Sequence, residues 1–130
     1  MTADLTGDEL RFLQETFELA REGGTAALAE RLDLGVPVDL TNSSGDTLLL
    51  LAAYHRHEGT VRMLLDRGAD HSRVNDKGQT ALGAAVFRQD EPVVRALLAA
   101  GADPELGRQS GVAVAQVFEL PHMLALLREG

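Results

Sequence analysis

Apolar residues recur along this chain at the spacing of helix faces, and the faces come in pairs. Leu10, Leu13, Phe17 and Ala20 follow one another on one side of a helix. The preceding Thr6-Gly-Asp-Glu9 has the form of a capping box, which predicts a helix start near Gly7. Gly23-Gly24 breaks that helix. A second is predicted from about Thr25 to Leu34, with Leu28 and Leu32 inward, closed by Gly35 and kept closed by Pro37. The plan then returns. Helices are predicted over 47–54, with Leu49, Ala52 and Ala53 inward, and over 60–67, with Val61, Leu64 and Leu65 inward. The next pair covers 80–88 and 92–100. There Val94, Leu97 and Leu98 repeat the earlier triplet 33 residues on, and Pro92 sits in a first turn, where proline is tolerated. Between pairs the chain is extended and then turns, as at Asn42-Ser-Ser-Gly45.

Glycines give the period independently. Gly35, Gly68 and Gly101 fall 33 residues apart, and Gly45, Gly78 and Gly111 keep the same step. A fixed period in this range is the mark of stacked repeat architectures. The last unit is short: Gly130 follows Gly101 by only 29, and the four missing residues are expected in the link between its helices, near Phe118-Glu-Leu-Pro121. Arg31 stands where Leu64 and Leu97 stand later. A charge there suits a first pair with no neighbour on its outer side, an N-terminal cap. The expected organisation is one domain over 1–130: a capping repeat over about 6–40, repeats over 41–73 and 74–106, and a short C-terminal capping repeat over 107–130.

These residues resemble the ankyrin repeat family over roughly Phe17 to Gly130. Gly45-Asp-Thr-Leu-Leu-Leu-Leu-Ala-Ala53 and Gly78-Gln-Thr-Ala-Leu-Gly-Ala-Ala-Val86 are similar to its turn and first helix. Val61-Arg-Met-Leu-Leu-Asp-Arg-Gly-Ala-Asp70 and Val94-Arg-Ala-Leu-Leu-Ala-Ala-Gly-Ala-Asp103 are similar to its second helix and close. The chain departs from the family's Pro-Leu-His: Leu50, Gly83 and Gln116 stand at the His position, so packing must replace the hydrogen bonds of that His. His57 matches the Gly-His site of the link between helices, with Arg56 in place of its Gly. The resemblance implies an all-α solenoid of about four stacked antiparallel helix pairs with degenerate terminal caps. It also implies non-catalytic binding of a partner protein across the concave face of turn tips and first helices.

Composition narrows the function further. Residues 1–46 carry ten Asp/Glu against Arg11, Arg21 and Arg31, whereas 47–130 set ten acids against nine bases, so the net charge of −8 belongs mostly to the N-terminal end. With no basic face there is no expected nucleic-acid partner. The acidic end reads as a soluble cap, or as a surface that steers a basic partner. No apolar run approaches a membrane span. The N-terminus lacks the features of a signal peptide, and the absence of cysteine fits a reducing, cytoplasmic setting.

Candidate chemistry is sparse. Gly-x-Ser-x-Gly and the phosphate-binding Gly-Lys-Ser/Thr loop are missing, so no catalytic residue or cofactor is expected. His55 and His57, with Glu58 near, suggest a metal alternative; against it, His55 reads as a surface residue and His57 as a structural one. Asp70 and Asp103 read as turn residues accepting backbone hydrogen bonds. Residues at equal positions form rows along the stack. Arg21, Tyr54 and Phe87 form one, Glu22, His55 and Arg88 a second, and Ser43, Ser44, Asp46, Asp76, Lys77, Gln79, Gln109 and Val112 the turn tips. The expected binding residues are Arg21, Tyr54, His55, Phe87, Arg88, Ser44, Asp46, Lys77 and Gln79, since aromatics and Arg anchor interfaces. The alternative for Tyr54 and Phe87 is packing between helix pairs. A monomer is expected. Homodimerisation through Leu120, Met123, Leu124 and Leu127 of the last helix is the runner-up.

Overall fold

The computed structural model describes residues 6–129. Eight helices occupy them: α1 (Gly7–Glu22), α2 (Thr25–Asp33), α3 (Leu48–Tyr54), α4 (Glu58–Asp66), α5 (Ala81–Phe87), α6 (Glu91–Ala99), α7 (Gly111–Val117) and α8 (Pro121–Glu129). Odd-numbered helices stack as an inner row and even-numbered ones as an outer row, each pair touching chiefly the pair before and the pair after. This is the all-helical solenoid of stacked pairs that the period predicts.

Each inner helix starts the same way. Thr47, Thr80 and Ser110 are N-caps whose hydroxyls accept from the N–H three residues on, each at 3.0 Å. Thr6 and Glu9 make the predicted capping box of α1. The core is thin and aliphatic. Leu49, Ala52, Ala53, Val61, Leu64, Val94 and Leu97 are buried as the pattern predicts, while Leu32, Leu65 and Leu98 pack on its edge. Leu10 departs from the pattern: it lies in the part of α1 that outruns its neighbours and is 47% exposed.

The last repeat corrects the sequence reading. Inner helices start at 48 and 81, then at 111, so three residues are missing rather than four. The link between α7 and α8 has its full length, since α8 starts ten residues after α7 just as α6 follows α5. The deletion lies instead in the loop between α6 and α7. Gly45 and Gly78 hold left-handed turns (φ 80° each), but Gly111 is a helical residue, and Gly107 (φ 88°) makes the turn in its place. Ala113, not Gln116, therefore stands at the third helical position of the last repeat, and Val112 belongs to α7 rather than to a turn tip.

The shortened loop also explains Gly83. It brings the backbone of Gln109 down onto α5, where a Cβ on residue 83 would lie 2.2 Å from the Gln109 carbonyl oxygen. At the equivalent position one repeat earlier, Leu50 keeps a full, buried side chain.

Arg31 does more than mark an end. Its Nη1 donates to the Phe12 carbonyl (2.7 Å) and the Thr16 hydroxyl (3.3 Å), and its Nη2 pairs with Glu15 (3.2 Å). Its guanidinium lies 4.3 Å from the Phe12 ring centroid. Where a leucine would face a neighbouring pair, this arginine folds back and ties α2 to α1.

Candidate functional site

The ends of the inner helices carry a ladder of aromatic rings. Tyr54 closes α3 and Phe87 closes α5, and their rings stack at 6.3 Å with 7° between planes. Phe118, the C-cap of α7, meets Phe87 edge-on at 5.2 Å. All three face solvent in part: Tyr54 is 38%, Phe87 44% and Phe118 54% exposed. Offset and edge-on geometries suit the ring quadrupoles, so the ladder is preorganised while remaining accessible.

Charged groups are fixed around it. Arg88 Nη1 donates to the Tyr54 carbonyl (2.9 Å), and its guanidinium sits 5.1 Å from the Tyr54 ring centroid. One repeat earlier the matching carbonyl, that of Arg21, accepts instead from His57 Nε2 at 2.7 Å. His57 thus stitches one link to the next, as the Gly-His resemblance implies, and that ring nitrogen is engaged. His55 is exposed and meets the Tyr54 ring edge-on at 5.1 Å. Burial, then the charges of His57, Arg88 and Arg21, hold its pKa below the ordinary 6.5.

The opposite bank is made by the turn tips, and a pair of asparagines organises them. Asn42 Oδ1 accepts from the N–H groups of Ser44 and Asp46, and Asn75 Oδ1 from those of Lys77 and Gln79. The buried Asn75 amide also donates to Asp46 Oδ1 (2.7 Å) and Gln79 Oε1 (2.8 Å), tying consecutive tips together. Asp46 Oδ2 accepts from Asn42 (3.3 Å), so both oxygens of that carboxylate are engaged within the tips. Asp70 and Asp103 make the expected turns, accepting from the N–H of Ser72 and of Glu105 at 2.9 Å each.

Two grooves lie between the inner helices and the turn tips. The smaller, about 250 Å³, runs between the tip residues Gln79 and Gln109 and the ladder of Tyr54, Phe87 and Phe118, with Gly83 and Ala84 in its floor. The larger, about 860 Å³, lies between α1 and the first tip, over Leu10, Leu13 and Phe17. Volume favours the larger, but its charged rim is internally neutralised: Arg11 pairs with Asp8, Arg21 with Glu18 and Arg31 with Glu15. The aromatic anchors lie in the smaller groove, and we take that one as the candidate site.

Of the residues singled out from sequence, the structure brings Tyr54, Phe87 and Gln79 into this groove, with His55, Arg88 and Lys77 beside it. Arg21 lines the other groove. Ser44 is exposed on the first tip, and Asp46 is engaged there. Phe118 was not among the expected site residues. A uniform step of 33 carries Phe87 to Leu120, whereas the deletion puts Val117 at that position and Phe118 just after it. On the last helix Met123, Leu127 and the unforeseen Leu126 are buried, while Leu124 and, just before the helix, Leu120 pack on the core. The exposed apolar residues at that end are Val117 and Phe118, on the link rather than on α8. No described helix is long and apolar enough to cross a membrane.

A family model for ankyrin repeats, in three copies, matches residues 17–107. A curated protein of Pseudomonas aeruginosa, named as an ankyrin repeat protein, is 44% identical over 60 residues. That alignment covers 46% of this chain and 35% of the relative, so this chain matches about a third of the relative's length.

Proposed function

This chain belongs to the ankyrin repeat family, and we propose that it is a non-catalytic module that binds a partner protein across its concave face, through the groove between the aromatic ladder and the last two turn tips. Ankyrin repeats are in general protein–protein interaction modules, and extended concave surfaces are what repeat stacks offer a partner. The observation that carries the reading is the ladder itself. Three aromatic side chains stay substantially exposed although each is held in place by a neighbouring ring. Large, rigid, partly wet rings of this kind anchor interfaces, and cutting one back to Ala typically weakens binding by about 2 kcal/mol. In this reading the chain acts as a cytoplasmic monomer. Tyr54, Phe87 and Phe118 are the anchors, Arg88, His55, Lys77 and Gln79 surround them, and Arg21, Ser44 and Asp46 extend the surface toward the N-terminal end.

Photo-crosslinking tests this directly. A benzophenone amino acid at position 54 or 87 should trap partner in cells, and the same group at Arg62 or Arg95, on the outer helices, should not. Adducts formed from the outer positions alone would put the interface on the wrong face.

A further inference from the structure

The distribution of unpaired charge around this groove identifies the kind of partner it suits. Among the described residues, eight of the twelve Lys and Arg side chains have a carboxylate within 4.0 Å. The four without one are Lys77, Arg88, Arg108 and Arg128, and the first three border the groove. Arg88 lies against Tyr54 at the ladder bank. Lys77 and Arg108 stand on consecutive tips: the Arg108 side chain lies over Gly78, whose Cβ position is 2.9 Å from Arg108 Nε, and Gln109 Nε2 donates to the Lys77 carbonyl at 3.0 Å. Asp76, the acidic neighbour on that tip, has its carboxylate turned toward Gly45 of the preceding tip, 2.9 Å from that residue's Cβ position. Gln79 accepts from Asn75 through Oε1, which leaves its Nε2 donors at the groove.

A chain of net charge −8 thus keeps free cations on both banks of its aromatic groove. Unpaired like charges around a cleft focus a field into it and select a partner of opposite sign. We infer that the groove docks an acidic segment of a partner protein, seating one bulky apolar side chain against the ladder of Tyr54, Phe87 and Phe118 and its carboxylates on Arg88, Lys77 and Arg108. The inference rests on the concave-face reading above and adds the partner's chemistry to it. Nucleic acid is also acidic, but the −7 carried by residues 1–46 repels a long phosphate backbone more than a short local segment.

The test is a chemical-shift titration of the isotope-labelled chain at low salt with four probes. One is a synthetic acidic peptide of about ten residues with a central Trp. The others are the same peptide with Trp replaced by Ala, the same with its acids replaced by Lys, and an oligothymidylate of matching length. The acidic Trp peptide should move the amides of Phe87, Arg88, Gln109 and Phe118. It should bind at least about tenfold more tightly than the other three probes, a difference that shrinks in high salt. Lys77→Glu with Arg108→Glu, both exposed and so expected to leave the fold intact, should weaken it about tenfold. Equal or tighter binding of the Lys peptide at the same amides would overturn the acidic partner while keeping the groove as a docking surface. Preference for the oligonucleotide would overturn a protein partner. Shifts confined to α1 and the first tip, or no shifts at all, would overturn the groove itself.

Discussion

Replacing Gly83 by Ala separates two effects of opposite sign. Gly83 is an interior residue of α5 with ordinary helical backbone. Helix propensity alone makes Ala there more stable by about 1 kcal/mol. The packing says otherwise. The new Cβ would sit 2.2 Å from the backbone oxygen of Gln109, well inside the 3.0 Å that real Cβ atoms do not breach, and 3.3 Å from the Thr80 hydroxyl. Because the obstacle is backbone, relief requires the 107–110 segment to lift. Lifting it strains the bonds from Gln109 N to the Gly78 carbonyl (2.9 Å) and from Gln109 Nε2 to the Lys77 carbonyl (3.0 Å). Overpacking of this kind costs about 1–3 kcal/mol, and each bond lost adds about 1 kcal/mol. The net expectation is a destabilisation of about 2 kcal/mol after the propensity gain is subtracted. Urea unfolding at 25 °C measures it, and the melting temperature should fall by roughly 8 °C. A Gly83→Ala protein as stable as the parent, or more so, would show that the tip does not press on α5 and that the account of the shortened loop is wrong.

Other expectations follow from single features. Arg56 sits in the left-handed region (φ 66°) at the link position that Gly23 occupies in the first pair. Arg56→Gly should therefore stabilise the chain by up to about 1 kcal/mol in denaturant titration, the relief of a conformation only glycine adopts freely outweighing the added disorder of the unfolded chain. A loss of stability would instead mean that the long contact from Arg56 to Asp90 (3.8 Å) matters more than its exposure suggests. Asn75→Ala leaves two backbone N–H groups and Asp46 Oδ1 without their partner, and should cost about 2–3 kcal/mol; a loss under 1 kcal/mol in the same titration would deny it an organising role. For His55 the folded pKa lies below the unfolded 6.5, so the unfolded chain binds the proton more readily. Its contribution to stability is complete above 6.5 and falls as pH drops from there toward the lowered folded value. In an NMR titration Arg88→Gln should move the His55 midpoint upward but not fully back, because burial is the larger cause; an unmoved midpoint would remove Arg88 from the account.

How far the chain could be read in advance depended on whether neighbouring residues or distant ones decide a feature. The two central helix pairs were legible because each is a local pattern: a Thr cap, apolar positions on one face and a closing Gly-Ala-Asp, all within 33 residues. Arg31 was legible as a departure, a charge at a position where later repeats carry leucine. Its actual work, bonding to Phe12, Thr16 and Glu15, required knowing where α1 lies against α2. The fourth repeat was misregistered because Gly111 continues a glycine ladder by number although the deletion has already shifted the register. Ser110, three residues before the N–H it caps, was the local signal that would have fixed it. With that register Phe118 follows directly after the row of Tyr54 and Phe87. Of the site, Tyr54, Phe87 and Arg88 could be read as rows and Lys77 as a tip, whereas Phe118 and Arg108 were missed with the register of the shortened loop. The engagement of Asp46 within the tips could not, because it depends on Asn75 in the next repeat.

Because each helix pair touches chiefly the pairs next to it, occupancy of the groove would be felt unevenly along the stack. Lines of force in such a stack run only along its axis, and among the described residues α1–α2 and α7–α8 each have a neighbouring pair on one side. A pair held through one junction opens with that junction alone, at a lower cost than unfolding the whole stack. The groove has Phe87 and Ala84 on one side of the last junction and Phe118 and Val114 on the other. A partner seated there would bind only when the last junction is closed and would act as a clasp on it. Amide protons of α7 and α8 would then exchange more slowly in the complex while those of α1 and α2 stay as they were. The α7–α8 pair would then be a reporter of binding.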